Sequence, residues 1–134
     1  MVMVFVVLFL WVINKYISDA YDVAREWGFN PITLLTWAKT PRGMGLGGAF
    51  VQTTEHLLFC RRGSLKPIKR IRTSWCNWKR PEKVTGPKHS RKPDEIYGMI
   101  DEMFGDLYRI ELFARQKTEG WDCWGNEVTS DIEL

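Results

Sequence analysis

The chain has 134 residues, of which 45% are apolar and 13% aromatic, and its net charge is +3. This length and composition suit one hydrophobic core, so we interpret residues 1–134 as a single domain or as part of one. The three cysteines, Cys60, Cys76 and Cys123, are odd in number and lack metal-ligand spacing. They argue against a disulfide framework and a metal site, and they indicate the reducing cytoplasm.

The first predicted element is a strand over residues 2–12, inside an apolar run that ends at Ile13. A membrane span takes about 20 residues, so this run is too short to cross a bilayer and we expect no membrane association. The run also lacks the basic start and the small-residue cleavage site of an export signal. Its Val, Phe and Leu content, with a helix following, is typical of a buried parallel strand.

A helix is predicted directly after this strand. Five residues recur at helical spacing, namely Ile17, Ala20, Tyr21, Ala24 and Trp27. Because glycine adopts the left-handed conformation common at helix ends, Gly28 is expected to terminate the helix. The strand and the helix together form a β-α pair.

Two further strands are predicted over residues 32–38 and 56–60. Between them, Gly43, Gly45 and Gly48 satisfy the GxGxxG pattern of dinucleotide-binding proteins. That pattern should open a helix, whereas a strand-like segment follows here. We therefore interpret the glycine-rich stretch as a loop.

Residues 61–92, the basic segment, hold twelve Lys or Arg and one acidic residue, while the rest of the chain holds seven basic and fifteen acidic residues. The segment lacks sustained periodicity, so residues 61–91 are predicted to form a long surface loop. Because cations neutralise phosphates and tryptophans stack on bases, we assign nucleic-acid binding to Lys69, Arg70, Arg72, Trp75 and Trp78. A solvated loop or a surface for an acidic partner explains the charge equally well.

The last predicted elements are a helix over residues 93–104 and a strand over residues 108–113. Pro93 in the first turn, with Asp94 and Glu95 behind it, agrees with the preferences of helix N-termini. Strands that alternate with helices predict an α/β sheet with right-handed crossovers. Ligands of such sheets bind beyond the carboxyl ends of the strands, so we expect the functional site there.

Seven short motifs occur in a fixed order, beginning with FLWV at residues 9–12, WGF at 27–29 and WAK at 37–39. EH at 55–56 with RG at 62–63 comes next, then SRKPDEIYGM at 90–99, IELFAR at 110–115, and GW at 120–121 with WGNE at 124–127. Together they resemble the MT-A seventy family of adenine-N6 methyltransferases. The resemblance implies a Rossmann-like class I fold that uses S-adenosylmethionine.

The resemblance also implies a cofactor site. In the family, the lysine of the KPDEIYGM motif, here Lys92, holds the carboxylate of the cofactor's methionine. The arginine that closes IELFAR, here Arg115, lies near the ribose. The pair at Asn126 and Glu127 binds the adenine, and Glu111 helps to shape that pocket.

On the substrate side, the resemblance implies nucleic acid as the partner. We expect DNA before RNA, because the chain is short and lacks the accessory regions of messenger-RNA writers. The loops over residues 40–54 and 61–91 would hold the nucleic acid, and we assign Lys39 and Glu55 to this side as well. A homodimer and a heterodimer are both considered, and the oligomeric state itself is left open.

One family motif has no counterpart here. Asp-Pro-Pro-Trp precedes the FLWV strand in the family, and this sequence begins within the segment that leads into that strand. In the family, the motif accepts the hydrogens of the adenine amine and aligns its nitrogen with the sulfonium methyl. We therefore assign no catalytic residue and predict that the chain alone is inactive. The alternatives are a catalytically silent nucleic-acid-binding or partner subunit and a truncated fragment.

Overall fold

The structure is a computed structural model that describes residues 6–39, 48–81, 91–105 and 107–134. The chain forms two compact units, Met1–Met103 and Phe104–Leu134. Gly43 and Gly45 of the glycine-rich loop, and residues 82–90 of the basic segment, lie outside the described residues. Their predicted loop conformation therefore stays a prediction.

The first unit contains most of the secondary structure. Its elements are β1 (Val6–Ile13), a short 3-10 helix (Asn14–Tyr16), α1 (Ile17–Glu26), β2 (Asn30–Ala38), β3 (Thr54–Arg62), β4 (Trp75–Cys76) and α2 (Glu95–Phe104), whose last residue belongs to the second unit. The predicted first strand, both helices and the next two strands are confirmed, with ends that differ by a few residues. The two-residue β4 lies within the predicted loop.

The sheet of the first unit has the strand order β1-β3-β2-β4. β3 runs antiparallel to both β1 and β2, and β4 runs parallel to β2. β1 and β2 thus point the same way, with α1 as the connection between them and β3 inserted between them. The sheet is mixed, and the expectation that β1 is a buried parallel strand is wrong. In the described part of the chain β1 lies at the edge of the sheet with an antiparallel partner, and residues 6–11 are only half-buried.

α1 covers one face of this sheet. Ala20 and Ala24 pack against Val12, Leu58 and Cys60, which point to the same face because strand residues alternate. The two alanines let the helix approach the sheet closely, and Ala24 is fully buried. Ile17, Ala20, Tyr21 and Ala24 of the predicted helical pattern therefore face the core, whereas Trp27 is 43% exposed.

Gly28 ends α1 with a φ of +84°, which confirms the predicted termination. The guanidinium of Arg62 donates to the carbonyl oxygens of Trp27 and Gly28. These two residues directly follow Glu26, the last residue of α1. One arginine of the basic segment is therefore bound to the backbone at a helix end.

The opposite face of the sheet carries aromatic residues. Phe9 and Phe59 lie with ring centroids 5.2 Å apart, and Trp11 and Trp37 meet edge to face at 5.8 Å. Part of the basic segment docks on α2, because the amide of Ile68 donates to the carbonyl of Met103 at 2.6 Å. A cleft of about 840 Å³ is lined by Phe9, Phe59, residues 67–74 and two methionines of α2.

The second unit contains two short parallel strands, β5 (Ile110–Leu112) and β6 (Asp122–Trp124). The predicted strand over residues 108–113 is confirmed over three residues. The sequence reading missed β6, since three residues are too few to show an alternating pattern. Neither helix of the described part of the chain combines the length and apolar character needed to span a bilayer.

Candidate functional site

Three charged side chains meet at the carboxyl ends of β1 and β2. The strand register places Glu55 between Ile13 and Trp37. Its side chain is 5% exposed, and Oε1 accepts a hydrogen bond from Lys92 Nζ at 2.7 Å. Lys39 Nζ lies 3.2 Å from the other carboxylate oxygen, Oε2. A buried carboxylate is retained only with such partners. The structure thus brings together two residues assigned to the substrate and one assigned to the cofactor.

Aromatic rings support both lysines of this cluster. Lys92 Nζ lies 5.6 Å from the centroid of the Trp11 ring, and Lys39 Nζ lies 5.8 Å from that of Trp37. A cavity of about 270 Å³ adjoins the cluster, lined by residues 11–13, Tyr16 and Lys92. Two lysines and one carboxylate leave one net positive charge, and a lysine ammonium has three donors. The cluster can therefore accept an anionic group at this sheet end.

His56 lies on the opposite face of β3 from Glu55, and both of its ring nitrogens are hydrogen-bonded. Nε2 lies 2.7 Å from Asn14 Oδ1, and Nδ1 lies 3.1 Å from the hydroxyl of Thr36. The amide nitrogen of Asn14 donates to Gln52 Oε1 and to Thr54. The Asn14 oxygen is thus left to accept from Nε2–H, which fixes the neutral tautomer. Burial lowers the pKa of His56, although the Glu55 carboxylate acts in the opposite direction.

Glu55 and His56 match a family motif in the sequence, but this hydrogen-bond network was not predicted. The only local signal is three polar residues at the start of the strand, Thr54, Glu55 and His56, directly before its apolar stretch. Asn14 and Thr36 become neighbours of His56 only through strand pairing.

The cations assigned to the substrate differ in their surroundings. Lys69 Nζ lies 3.5 Å from Glu102 on α2, and both side chains are more than half exposed. Arg70 and Arg72 are exposed. An exposed ion pair contributes little, so Lys69 can exchange Glu102 for a phosphate at small cost.

The two tryptophans assigned to the substrate also differ. Trp75, on β4, is 54% exposed, whereas its neighbour Cys76 is buried. Trp78 is half-buried, and its carbonyl oxygen accepts from the buried Trp37 indole at 2.7 Å. Trp75 therefore presents more of its ring to solvent.

Four of the residues assigned to the cofactor belong to the second unit. Glu111 on β5 pairs with Cys123 on β6. Arg115 Nε donates to Glu127 at 3.0 Å, with both side chains about half exposed. Asn126, next to Glu127, is exposed. The predicted ribose and adenine contacts thus lie on neighbouring surface positions of this unit.

A tight turn positions Arg115. Phe113 has a φ of +59°, which is unusual for a bulky residue, and its ring meets Trp124 edge to face at 5.3 Å. The amide of Ala114 donates to the Trp124 carbonyl at 3.0 Å. A Cβ on Gly125 would lie 2.5 Å from the Ala114 oxygen, so only glycine fits.

Asp131 fastens the C-terminal residues to β6. Its carboxylate accepts from Lys117 Nζ at 2.9 Å and from the Cys123 amide at 3.0 Å. The hydrogen bond from Lys117 is the main reason why the pKa of Asp131 lies below its usual value. Burial, with the nearby Asp131 carboxylate, raises the pKa of the Cys123 thiol. Nothing in the sequence pattern pointed to this contact.

No cluster of His, Cys, Asp or Glu with metal-binding arrangement occurs among residues 6–39, 48–81, 91–105 and 107–134. The chemistry that these residues offer is therefore cationic, aromatic and hydrogen-bonding. Such groups suit a ligand with a carboxylate or phosphate and a planar base.

Comparison with known proteins gives a consistent result. A family model described as MT-A70 matches residues 4–127. A Type II methyltransferase, M.MunI, of a Mycoplasma species is 29% identical over 130 residues, which cover 96% of this chain and 53% of that protein. An N6-methyladenosine RNA methyltransferase, MTA1, of Cryphonectria parasitica is 30% identical, with 90% and 37% covered.

The N(6)-adenosine-methyltransferase subunit METTL3 of Danio rerio is 30% identical over 129 residues, which cover 90% of this chain and 21% of that protein. The chain thus spans about half or less of the length of these relatives. Their names support a methyltransferase and do not favour the alternative of a catalytically silent subunit.

Proposed function

The chain belongs to the MT-A70 family, and from this premise we propose that it forms the cofactor-binding and nucleic-acid-binding part of an S-adenosylmethionine-dependent adenine-N6 methyltransferase. The names of the relatives support N6-adenine methylation. For the fold, we propose a Rossmann-like class I sheet. The parallel β1 and β2, joined through α1, support it, because a strand-helix-strand unit of this kind is its building block.

One observation carries the proposal for the cofactor. Lys92 lies at the carboxyl ends of β1 and β2, beside a cavity of about 270 Å³, and one of its donors is bonded to Glu55. A lysine ammonium has three N–H donors, so a second donor of Lys92 can bind the carboxylate of the cofactor's methionine group. The residues therefore fit that part of the cofactor. Arg115 would contact the ribose, and Glu111, Asn126 and Glu127 the adenine. When bound, the cofactor supplies the sulfonium methyl.

For the substrate, we propose that the basic segment holds a nucleic acid through its phosphates. Arg70 and Arg72 are exposed, and Lys69 is held only by an exposed ion pair. Lys39 and Glu55 would contact the substrate at the sheet end, where they are already paired with each other. DNA stays our first choice, and RNA, which the name of the fungal relative specifies, is the second. The cytoplasmic location stays a prediction, and the oligomeric state stays open.

Calorimetric titration with S-adenosylhomocysteine tests the cofactor proposal. Asn126→Ala should weaken binding by about 1–3 kcal/mol, since it leaves a buried polar partner on the ligand unsatisfied. Lys92→Met should weaken it by a similar amount, because the lost hydrogen bond is to a charged group. Lys66→Met, which removes an exposed lysine, is the matched control. Equal binding by all four proteins would show that these residues do not hold the cofactor.

A further inference from the structure

The backbone around Trp75 is fixed, although the residue lies in a segment with little regular structure. β4 pairs in parallel with β2, with Trp75 opposite Thr36, and the Thr36 amide donates to the Ser74 carbonyl at 2.9 Å. The amide of Trp75 also donates to the hydroxyl of Thr73 at 3.1 Å. The position from which the indole projects is therefore set by the sheet.

The indole of Trp75 nevertheless faces solvent. Alternation along β4 turns Cys76 inward, with 7% exposure, and Trp75 outward, with 54%. Tryptophan carries a large apolar surface and is highly buried on average. Because the backbone at Trp75 is held by the sheet, only the two side-chain torsions of this half-exposed indole need to be ordered when a flat group stacks on it. This arrangement favours binding of a planar ligand.

Trp78 offers a contrast three residues along the chain. It is half-buried, and its carbonyl is tied to the Trp37 indole. The exposed cations Lys66, Lys69, Arg70, Arg72 and Lys79 lie along the chain on both sides of Trp75. The surroundings of the exposed indole therefore suit an anionic polymer with aromatic groups.

We infer that Trp75 stacks on an unpaired base, so that the chain prefers single-stranded or locally unpaired nucleic acid to an intact duplex. The inference rests on the proposed function for the nature of the ligand. Inside a duplex both faces of each base are covered by its neighbours, so a fixed indole can stack only where a base is exposed. Exposed aromatic rings among cations are the usual platform of proteins that bind single strands.

The test uses the full chain and a short fluorescein-labelled DNA strand, followed by fluorescence anisotropy. The strand is offered alone, as a duplex, and with abasic sites in place of its bases. Tight binding of the single strand, weaker binding of the duplex and weaker binding of the abasic strand are expected from the wild-type protein. Equal binding of the three ligands, or no binding of any, would overturn the inference, and this measurement needs no variant.

Substitutions test whether the preference for single strands comes from Trp75. Trp75→Ala should weaken single-strand binding about 5- to 150-fold, the loss of one base stack, with the salt dependence unchanged because no phosphate contact is removed. Trp75→Phe should restore most of the affinity. Trp27→Ala, which removes a 43% exposed tryptophan at the end of α1, is the matched control. Equal affinities of the Trp75→Ala and Trp27→Ala proteins would contradict the assignment.

Titration of the same samples with S-adenosylhomocysteine separates this inference from the proposed function. Cofactor binding without any preference for exposed bases would remove the stacking role and leave the methyltransferase proposal intact. A preference for exposed bases without cofactor binding would do the reverse.

Discussion

The two regions that carry the predicted cofactor residues are built in different ways. Around Glu55, three strands of eight or nine residues fix the register, and the carboxylate is buried between two lysines. Around Arg115, two strands of three residues pair, and the ion pair with Glu127 is about half exposed. The structure of the first region is held by a buried cluster of charges. The structure of the second is held by a tight turn and by the contacts of Asp131.

The largest predicted effect is on methyl transfer, because neither region contains the Asp-Pro-Pro-Trp motif. Asp-Pro-Pro-Trp is absent from the 134 residues. In our proposal the two regions would hold the ligands, and the group that orients the adenine amine would be missing. Since orientation accounts for about 7–11 kcal/mol of a barrier, we expect no detectable transfer of a tritiated methyl to DNA or RNA by the folded chain. A version extended upstream with a strand that ends in Asp-Pro-Pro-Trp should be active.

The matched control is the same extension with Asn in place of its Asp, which keeps the length and removes the carboxylate. Circular dichroism verifies that each protein is folded. Robust transfer by the unextended chain would show that a residue in one of the two regions orients the amine.

The ion pairs of Glu55 and Glu127 give the next prediction. Glu55→Gln leaves Lys39 and Lys92, 19% and 27% exposed, without their carboxylate and should lower the free energy of unfolding by about 3 kcal/mol. Glu127→Gln removes an exposed partner of Arg115 and should lower it by about 0–1 kcal/mol. Urea denaturation measures both. Equal losses would mean that burial does not distinguish the two regions.

A glycine tests the turn of the second region. In Gly125→Ala the new Cβ would collide with backbone atoms of Ala114, which cannot rotate away, and the expected loss is about 1–3 kcal/mol. Gly98→Ala on α2 meets nothing within 4 Å and should gain about 0.5–1 kcal/mol from helix propensity. Thermal unfolding of both variants checks the signs. A tolerated Gly125→Ala would show that the turn relaxes.

The longer elements of the first unit could be predicted because their signals are local, whereas the short 3-10 helix and the two-residue β4 were not predicted. The helical spacing from Ile17 to Trp27 and the apolar runs of β1, β2 and β3 lie within short windows, and Gly28 marks a helix end by its backbone freedom alone. The insertion of β3 between β1 and β2 has no such signal. It depends on pairing between strands whose partner residues lie sixteen or more positions apart in the sequence.

The candidate site could be predicted only in part. The motif resemblance named Lys39, Glu55 and Lys92 separately, but Glu55 and Lys92 are 37 residues apart and only the folded sheet makes them partners. Asp131 was missed altogether, since its partners Lys117 and Cys123 share no periodic pattern with it. Contacts that join short, irregular segments leave no trace in local composition.

The smallest predicted effects are in the pH dependence of stability, where the two regions have separate windows. Burial lowers the pKa of His56 from 6.5, so the unfolded chain binds a proton there while the native chain does not, and stability should fall as the pH drops below about 6.5. The loss ends where native His56 itself becomes protonated. Asp131 has a pKa below 3.8, so the stability it contributes is present above that value and disappears as the pH falls further, through its native pKa. Urea denaturation from pH 8 to pH 3 should show that the free energy of unfolding falls in two steps. His56→Gln should flatten the step at higher pH, and Asp131→Asn should flatten the step at lower pH. If each substitution changed both steps equally, protonation in one region would affect stability in the other. The structural difference between the two regions would then not separate their contributions to stability.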